Sequence, residues 1–173
     1  ADAILEILTE FPKVKFRVVG ILELPEGFQR FKSRVERIEF CEYEEYLGHL
    51  SQCDISIAPL ENYIFNEAKS NIKFLEASIV KVPSVCSPRC AFTSIIIDGE
   101  NALLADTFAD WKQALGSLVE SAELRKSLAE SAYKTVMDRY TPVPIARTQL
   151  APRLKTSVAK RPTKKILSVN IYY

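Results

Sequence analysis

Lys69, Ser70, Asn71, Ile72, Lys73 and Glu76 stand in one short stretch whose residue types suit the capture of an anion. The spacing of Ile72, Leu75 and Ile79 predicts a helix over 69–80. The first turn of a helix has backbone N–H groups without intrahelical partners and carries the positive end of the macrodipole. Ser70, Asn71 and Ile72 fall at that start. Lys69 and Lys73 are four residues apart, hence on one helical face, where both would add charge-assisted hydrogen bonds. On spacing alone the simpler reading is a solvated face, with Lys73 and Glu76 an i,i+3 pair worth about 0.2–0.5 kcal/mol. Glu76 is the sharper candidate. It lies between Leu75 and Ala77 beside the predicted buried face, where a carboxylate without a partner is costly.

Other chemistry-bearing residues are sparse. His49, the single histidine, has no nucleophile or metal partner at a recognisable spacing and reads as a surface or packing residue. Cys41, Cys53, Cys86 and Cys90 do not form a zinc framework, because one histidine is all there is to complete it. They read as free thiols of a reducing cytoplasm, and no metal or cofactor is expected. A net charge of +1 gives no field to recruit nucleic acid. No apolar run reaches the roughly 18 residues of a membrane span. The opening Ala1–Leu8 has no basic n-region or cleavage site. It begins inside an apolar-periodic stretch, as an excised piece would.

The elements that must position these residues alternate along the chain. An amphipathic stretch, 3–8, precedes a β-branched and aromatic strand ending at Gly20. Residues 34–40 read as a second strand, and 43–52 as a helix with Tyr43, Tyr46, Leu47 and Leu50 on one face. A buried-type strand, 54–60, must stop at Pro59, which has no amide hydrogen to donate. A polar loop, 61–67, leads to the helix carrying Glu76. Strands at 82–86 and 103–105 follow, the latter after a turn at Asp98–Gly99. Thr107 and Asp110 form a capping-box pattern ahead of Trp111, Leu115 and Leu118, and Ser121 caps a last helix with Leu124, Leu128 and Ala132. Such alternation predicts an α/β domain with a Rossmann-like parallel sheet flanked by helices. Ligands then sit beyond the carboxyl ends of the strands, at Gly20–Ile21, 59–70 and 87–93. Residues 142–164, basic and proline-containing, read as a linker. Residues 165–173 read as a strand opening a following domain.

The order of motifs resembles the donor-binding half of family-4 (group 1) GT-B glycosyltransferases over roughly 14–141. The resemblance rests on D-I-S-I-A-P-L at 54–60, F-N-E-A-K-S-N-I-K-F-L-E at 65–76, V-P-S-V at 82–85 and D-G-E-N-A-L-L at 98–104. It implies that residues 1–141 are the C-terminal half of a GT-B fold, binding a nucleotide-diphosphate sugar. Lys69, Ser70, Asn71, Ile72 and Lys73 would face the diphosphate, and Glu76 the two ribose hydroxyls. The base would lie near Phe40, Cys41, Glu42 and Tyr43. The first glutamate of the family's E-x7-E motif falls on Ala68, which leaves Glu67 as the neighbouring carboxylate for the donor sugar. Lys81 stands where the family has glycine.

The resemblance further implies a retaining sugar transfer with no metal, completed by an N-terminal GT-B domain of the same chain. The family's upstream basic residues would precede Ala1, so the fragment by itself is expected to bind weakly and not to turn over, and its catalytic residues are not assigned. A second glycosyltransferase domain downstream would explain the linker and strand at 142–173. Membrane association of the full protein stays open. Two other readings stand beside this one: a non-catalytic α/β interaction module, favoured by Ala68 and Lys81, and half of a sugar-nucleotide epimerase. A dinucleotide-binding domain is disfavoured, because 19–24 lacks G-x-G-x-x-G.

Overall fold

The structure is a computed structural model and describes residues 1–67 and 69–140, together with the backbone of 166–170. Its helices are α1 (Asp2–Glu10), α2 (Tyr43–Ser51), α3 (Ile64–Glu67), α4 (Ile72–Ile79), α5 (Cys90–Thr93), α6 (Phe108–Glu120) and α7 (Ala122–Arg139). The strands are β1 (Lys15–Val19), β2 (Val35–Ile38), β3 (Ile55–Ala58), β4 (Ser84–Cys86), β5 (Leu103–Leu104) and β6 (Ile166–Asn170). A 3₁₀ segment, Glu26–Arg34, precedes β2.

The strands form one sheet in the order β2-β1-β6-β3-β4-β5, and all its pairings are parallel. Side chains alternate across it. Phe16 and Val18 of β1 and Ile55 and Ile57 of β3 meet Ile7 and Leu8 of α1 and Leu115 and Leu118 of α6 on one face. Val19 packs with Tyr46, Leu47 and Leu50 of α2 and Ala77 of α4 on the other. The near-continuous burial of β1 and β3 is what a sheet covered on both faces requires.

Strand β6 departs from expectation. Read from the sequence as the opening of a following domain, Ile166–Asn170 instead lies inside this sheet, paired with β1 on one side and β3 on the other. The physical reason is ladder satisfaction: β1 and β3 do not pair with each other, and each has a row of backbone groups that a middle strand can satisfy. Residues 141–165, which include the expected linker, lie outside the described residues, as does Ala68.

The register sets a polar row across this sheet. Glu36, Arg17, Ser168, Ser56 and Ser84 stand side by side on consecutive strands. Arg17, 8% exposed, donates from Nε and Nη2 to Glu36 Oε2 at 3.2 and 3.0 Å and from Nη1 to the His49 carbonyl at 2.9 Å. Lys15 reaches the other Glu36 oxygen. Burial on its own would raise the Glu36 carboxyl. The hydrogen bonds and charges of Lys15 and Arg17 outweigh it and hold Glu36 below the usual carboxylate range.

Helix ends follow their sequence signals. Thr107 accepts from the Asp110 amide while the Asp110 carboxylate accepts from the Thr107 amide, the capping box expected for α6. Ser121 Oγ accepts from the Leu124 amide at the start of α7. Gly99 has φ 75, which glycine adopts without a Cβ penalty, and it closes the Asp98–Ala102 turn.

Candidate functional site

With every pairing parallel, the carboxyl ends of the strands share one edge, and the segments after β1, β3 and β4 gather there. Two of these segments are tied together. The Leu60 amide donates to Ser87 Oγ at 2.8 Å, and the Arg89 guanidinium reaches the Leu60 carbonyl. Arg89 is 6% exposed and ion-paired with Asp106, so its charge is spent inside the fold.

The helix carrying the candidate anion site starts later than the periodicity implies. Pairing begins at Ile72 with Asn71 as N-cap, and Asn71 makes no side-chain cap; its Nδ2 donates instead to Tyr140 Oη at 3.3 Å. Lys69 and Ser70 therefore lie ahead of the helix, exposed, and Lys69 does not share a helical face with Lys73. Lys69 Nζ sits 5.7 Å from the Phe65 ring centroid. The buried face is also rotated from expectation: Phe74, Glu76, Ala77 and Ser78 point inward while Ile72 is exposed. Leu75 and Ile79 are half-buried against a third cluster that contains Phe74, Phe92 and Ile96.

Glu76 is the buried carboxylate of the edge, 4% exposed. Lys73 Nζ and Tyr46 Oη each donate to its Oε2 at 3.0 Å. The Lys73 ammonium also lies 4.9 Å from the centroid of the Tyr46 ring. Burial pulls the Lys73 ammonium below the ordinary lysine range, and the Glu76 carboxylate pulls it part of the way back. Lys73 and Glu76 thus form a half-sequestered ion pair rather than the solvated pair of the simpler sequence reading. Tyr43, half-exposed at the start of α2, has its ring centroid 6.2 Å from that of Tyr46. Burial, and then the nearby Glu76 carboxylate, push its phenol up to about 12.

The other expected residues are placed as follows. Glu67 is the last residue of α3, a short helix within what the sequence reads as a polar loop. Its Oε2 accepts from the Cys90 amide at 2.8 Å, so it caps α5. His49 stands 3.7 Å from Glu45 of its own helix. Lys81 adopts φ 57, the left-handed region that explains why glycine would suit the position. Its ammonium bonds both oxygens of Glu130 at 3.0 Å and lies over the Tyr133 ring. Tyr46 is the functional candidate that sequence reasoning missed. Its signal was a tyrosine on an otherwise apolar face, whose hydroxyl needs a partner when buried.

The chain belongs to the glycosyl transferase-like family, whose model matches residues 2–151. Its fold is shared with the C-terminal domain of a glycosyl transferase group 1 family protein, LpcC, from Francisella tularensis, at TM-score 0.64 and 20% identity, covering 82% of this chain and 77% of that one. TarM from S. aureus is similar at TM-score 0.65 and 13% identity, with 92% of this chain and 31% of TarM covered. HepE from Anabaena, solved with UDP and glucose, is similar at TM-score 0.66 and 18% identity, with coverage of 90% and 44%. The chain thus spans most of an isolated C-terminal domain and less than half of the complete relatives. No curated protein matches it. Together these findings make the domain an α/β, Rossmann-like unit of the GT-B type. Among the described residues no helix is long and apolar enough to cross a membrane.

Proposed function

We propose that this chain supplies the donor half of a glycosyltransferase, binding a nucleotide-diphosphate sugar whose sugar moves to an acceptor. The observation that carries the reading is a buried Glu76 carboxylate, with a paired cation, one turn inside an uncapped helix start at the carboxyl edge of a parallel sheet. An uncapped start offers amides and a positive dipole end to a diphosphate. Asn71 and Ile72 stand at that start, with Ser70 and Lys69 immediately before it and Lys73 in its first turn. Glu76 offers a carboxylate oxygen to ribose hydroxyls, which are good donors to an ionised acceptor. HepE, with the same fold, was solved with UDP, which supports a nucleoside diphosphate as the first ligand to try.

Transfer itself belongs to the whole enzyme. Charge stabilisation on the departing diphosphate and a closed cleft around the acceptor need a second, N-terminal GT-B domain, with retention of configuration as in group 1 enzymes and no metal. The isolated chain is then a weak binder without turnover. One observation favours the second reading, a non-catalytic interaction module: Glu67, the carboxylate nearest to Ala68, is engaged in capping α5 rather than free for a donor sugar.

Calorimetric titration with UDP, GDP, dTDP and their sugar conjugates tests the proposal. Saturable binding by one nucleotide, weakened about tenfold or more in Glu76→Ala, is the expected outcome. Binding that is indifferent to Glu76→Ala, or absent in a protein that includes its N-terminal half, sinks it.

A further inference from the structure

Glu76 has two oxygens, and two hydrogen bonds from different elements of the fold converge on one of them. Tyr46 Oη and Lys73 Nζ both donate to Oε2, each at 3.0 Å, and the Tyr43 phenol at the start of α2 also lies within reach of the carboxylate. Tyr46, Lys73 and Glu76 also restrain one another. The Tyr46 ring is fully buried, so its hydroxyl has a fixed origin. The Lys73 side chain, 14% exposed, runs over that ring to reach the carboxylate. The hydroxyl comes from α2 and the carboxylate from α4, so the contact also joins the helices that follow β2 and β3.

We propose that Tyr46 and Lys73 are positioning residues: they clamp Glu76 through Oε2 and so hold its carboxylate in the orientation that receives the hydroxyls of a ribose. This rests on the donor-site reading above and reassigns Lys73 within it, from the diphosphate to the carboxylate. A carboxylate tethered at one oxygen cannot swing between rotamers, which lowers the ordering cost of binding. A lysine that neutralises a buried carboxylate also has little charge left for a phosphate.

The two roles of Lys73 separate experimentally. A phosphate contact contributes equally to any nucleoside diphosphate, whereas a clamp on Glu76 contributes only where a ribose hydroxyl is present. The full-length protein is titrated with UDP, 2′-deoxyUDP and 3′-deoxyUDP, with GDP and its deoxy forms in parallel, in wild type, Tyr46→Phe and Lys73→Met. The wild type is expected to prefer the ribonucleotide. Both variants are expected to cut that preference about fivefold to tenfold, while affinity for the deoxy forms stays within about twofold. Thermal melting of each variant is recorded alongside. Variants that weaken ribo and deoxy forms alike, variants that keep the wild-type preference, or a wild type without preference overturn the proposal.

If no nucleotide binds the wild type, the donor reading fails, and the clamp is still read without ligand. The side-chain carboxyl ¹³C resonance of Glu76, assigned by its loss in Glu76→Gln, is expected to move in Tyr46→Phe. An unchanged resonance overturns the clamp.

Discussion

Lys81 shows how one residue can hold an unfavourable backbone and gain from its side chain. A left-handed conformation costs a residue with a Cβ about 1–2 kcal/mol. Against it stand a surface ion pair with Glu130 and a ring contact with Tyr133, each worth about 0.5 kcal/mol at an exposed site. Lys81→Ala keeps the strain and loses both contacts, so urea unfolding should show it less stable by about 1 kcal/mol. Lys81→Gly relieves the strain as it loses the contacts, and should fall within about 0.5 kcal/mol of the parent. Equal destabilisation in both would mean that φ at this position carries no cost. Glu36 gives the pH counterpart. Its folded value lies below the unfolded carboxylate value, so its stabilisation is complete above about pH 4.3 and is lost as pH falls through the folded value. The stability gap between wild type and Glu36→Gln should therefore be widest near neutrality and close in acid, as followed by urea unfolding across pH. Glu76 was legible in the sequence because a carboxylate beside a buried face demands a partner. Tyr46 was not, since the apolar spacing of α2 accounted for it completely until its hydroxyl was seen on Glu76.

At the scale of elements, what carried a local signal was found. The Thr107–Asp110 box, the Ser121 cap, the stop at Pro59 and the Asp98–Gly99 turn all depend on residues within four positions of one another, and the structure has each of them. The misses depend on tertiary contact. Ile72, Leu75 and Ile79 have helical spacing, but α4 is rotated so that Phe74 and Ala77 go inward. That choice is made by α7 and the sheet, not by the helix. The α3 turn, the α5 turn and the 3₁₀ segment Glu26–Arg34 are short, and short turns are marginal without packing. Glu67 illustrates the point, since the cap it gives to α5 joins residues 23 positions apart. The orientation of Lys73 toward Glu76, rather than outward, likewise follows from the rotation of α4.

The whole sheet depends on its third strand. Without β6 the ladder divides into β2-β1 and β3-β4-β5, because no other pairing bridges β1 and β3. A chain ending at Tyr140 is thus expected to lose its cooperative thermal transition and to self-associate through two open interior edges, which size-exclusion chromatography and calorimetry would register. An unchanged, monomeric transition would show that the two halves close on each other. No periodicity in the sequence could place β6, since strand character says nothing about which neighbours a strand takes. The polar row does offer a register. Ser168 stands in register between Arg17 and Ser56.

That middle position has a consequence in time. Ribosomes emit residues 1–104, and with them the other strands of the sheet, well before residue 170. Until then the nascent domain holds a slot one strand wide along its centre, flanked by β1 and β3. Synthesis of residues 166–170 is thus the step that seals the sheet, and the interval before is when a chaperone or a neighbouring nascent chain has its opening.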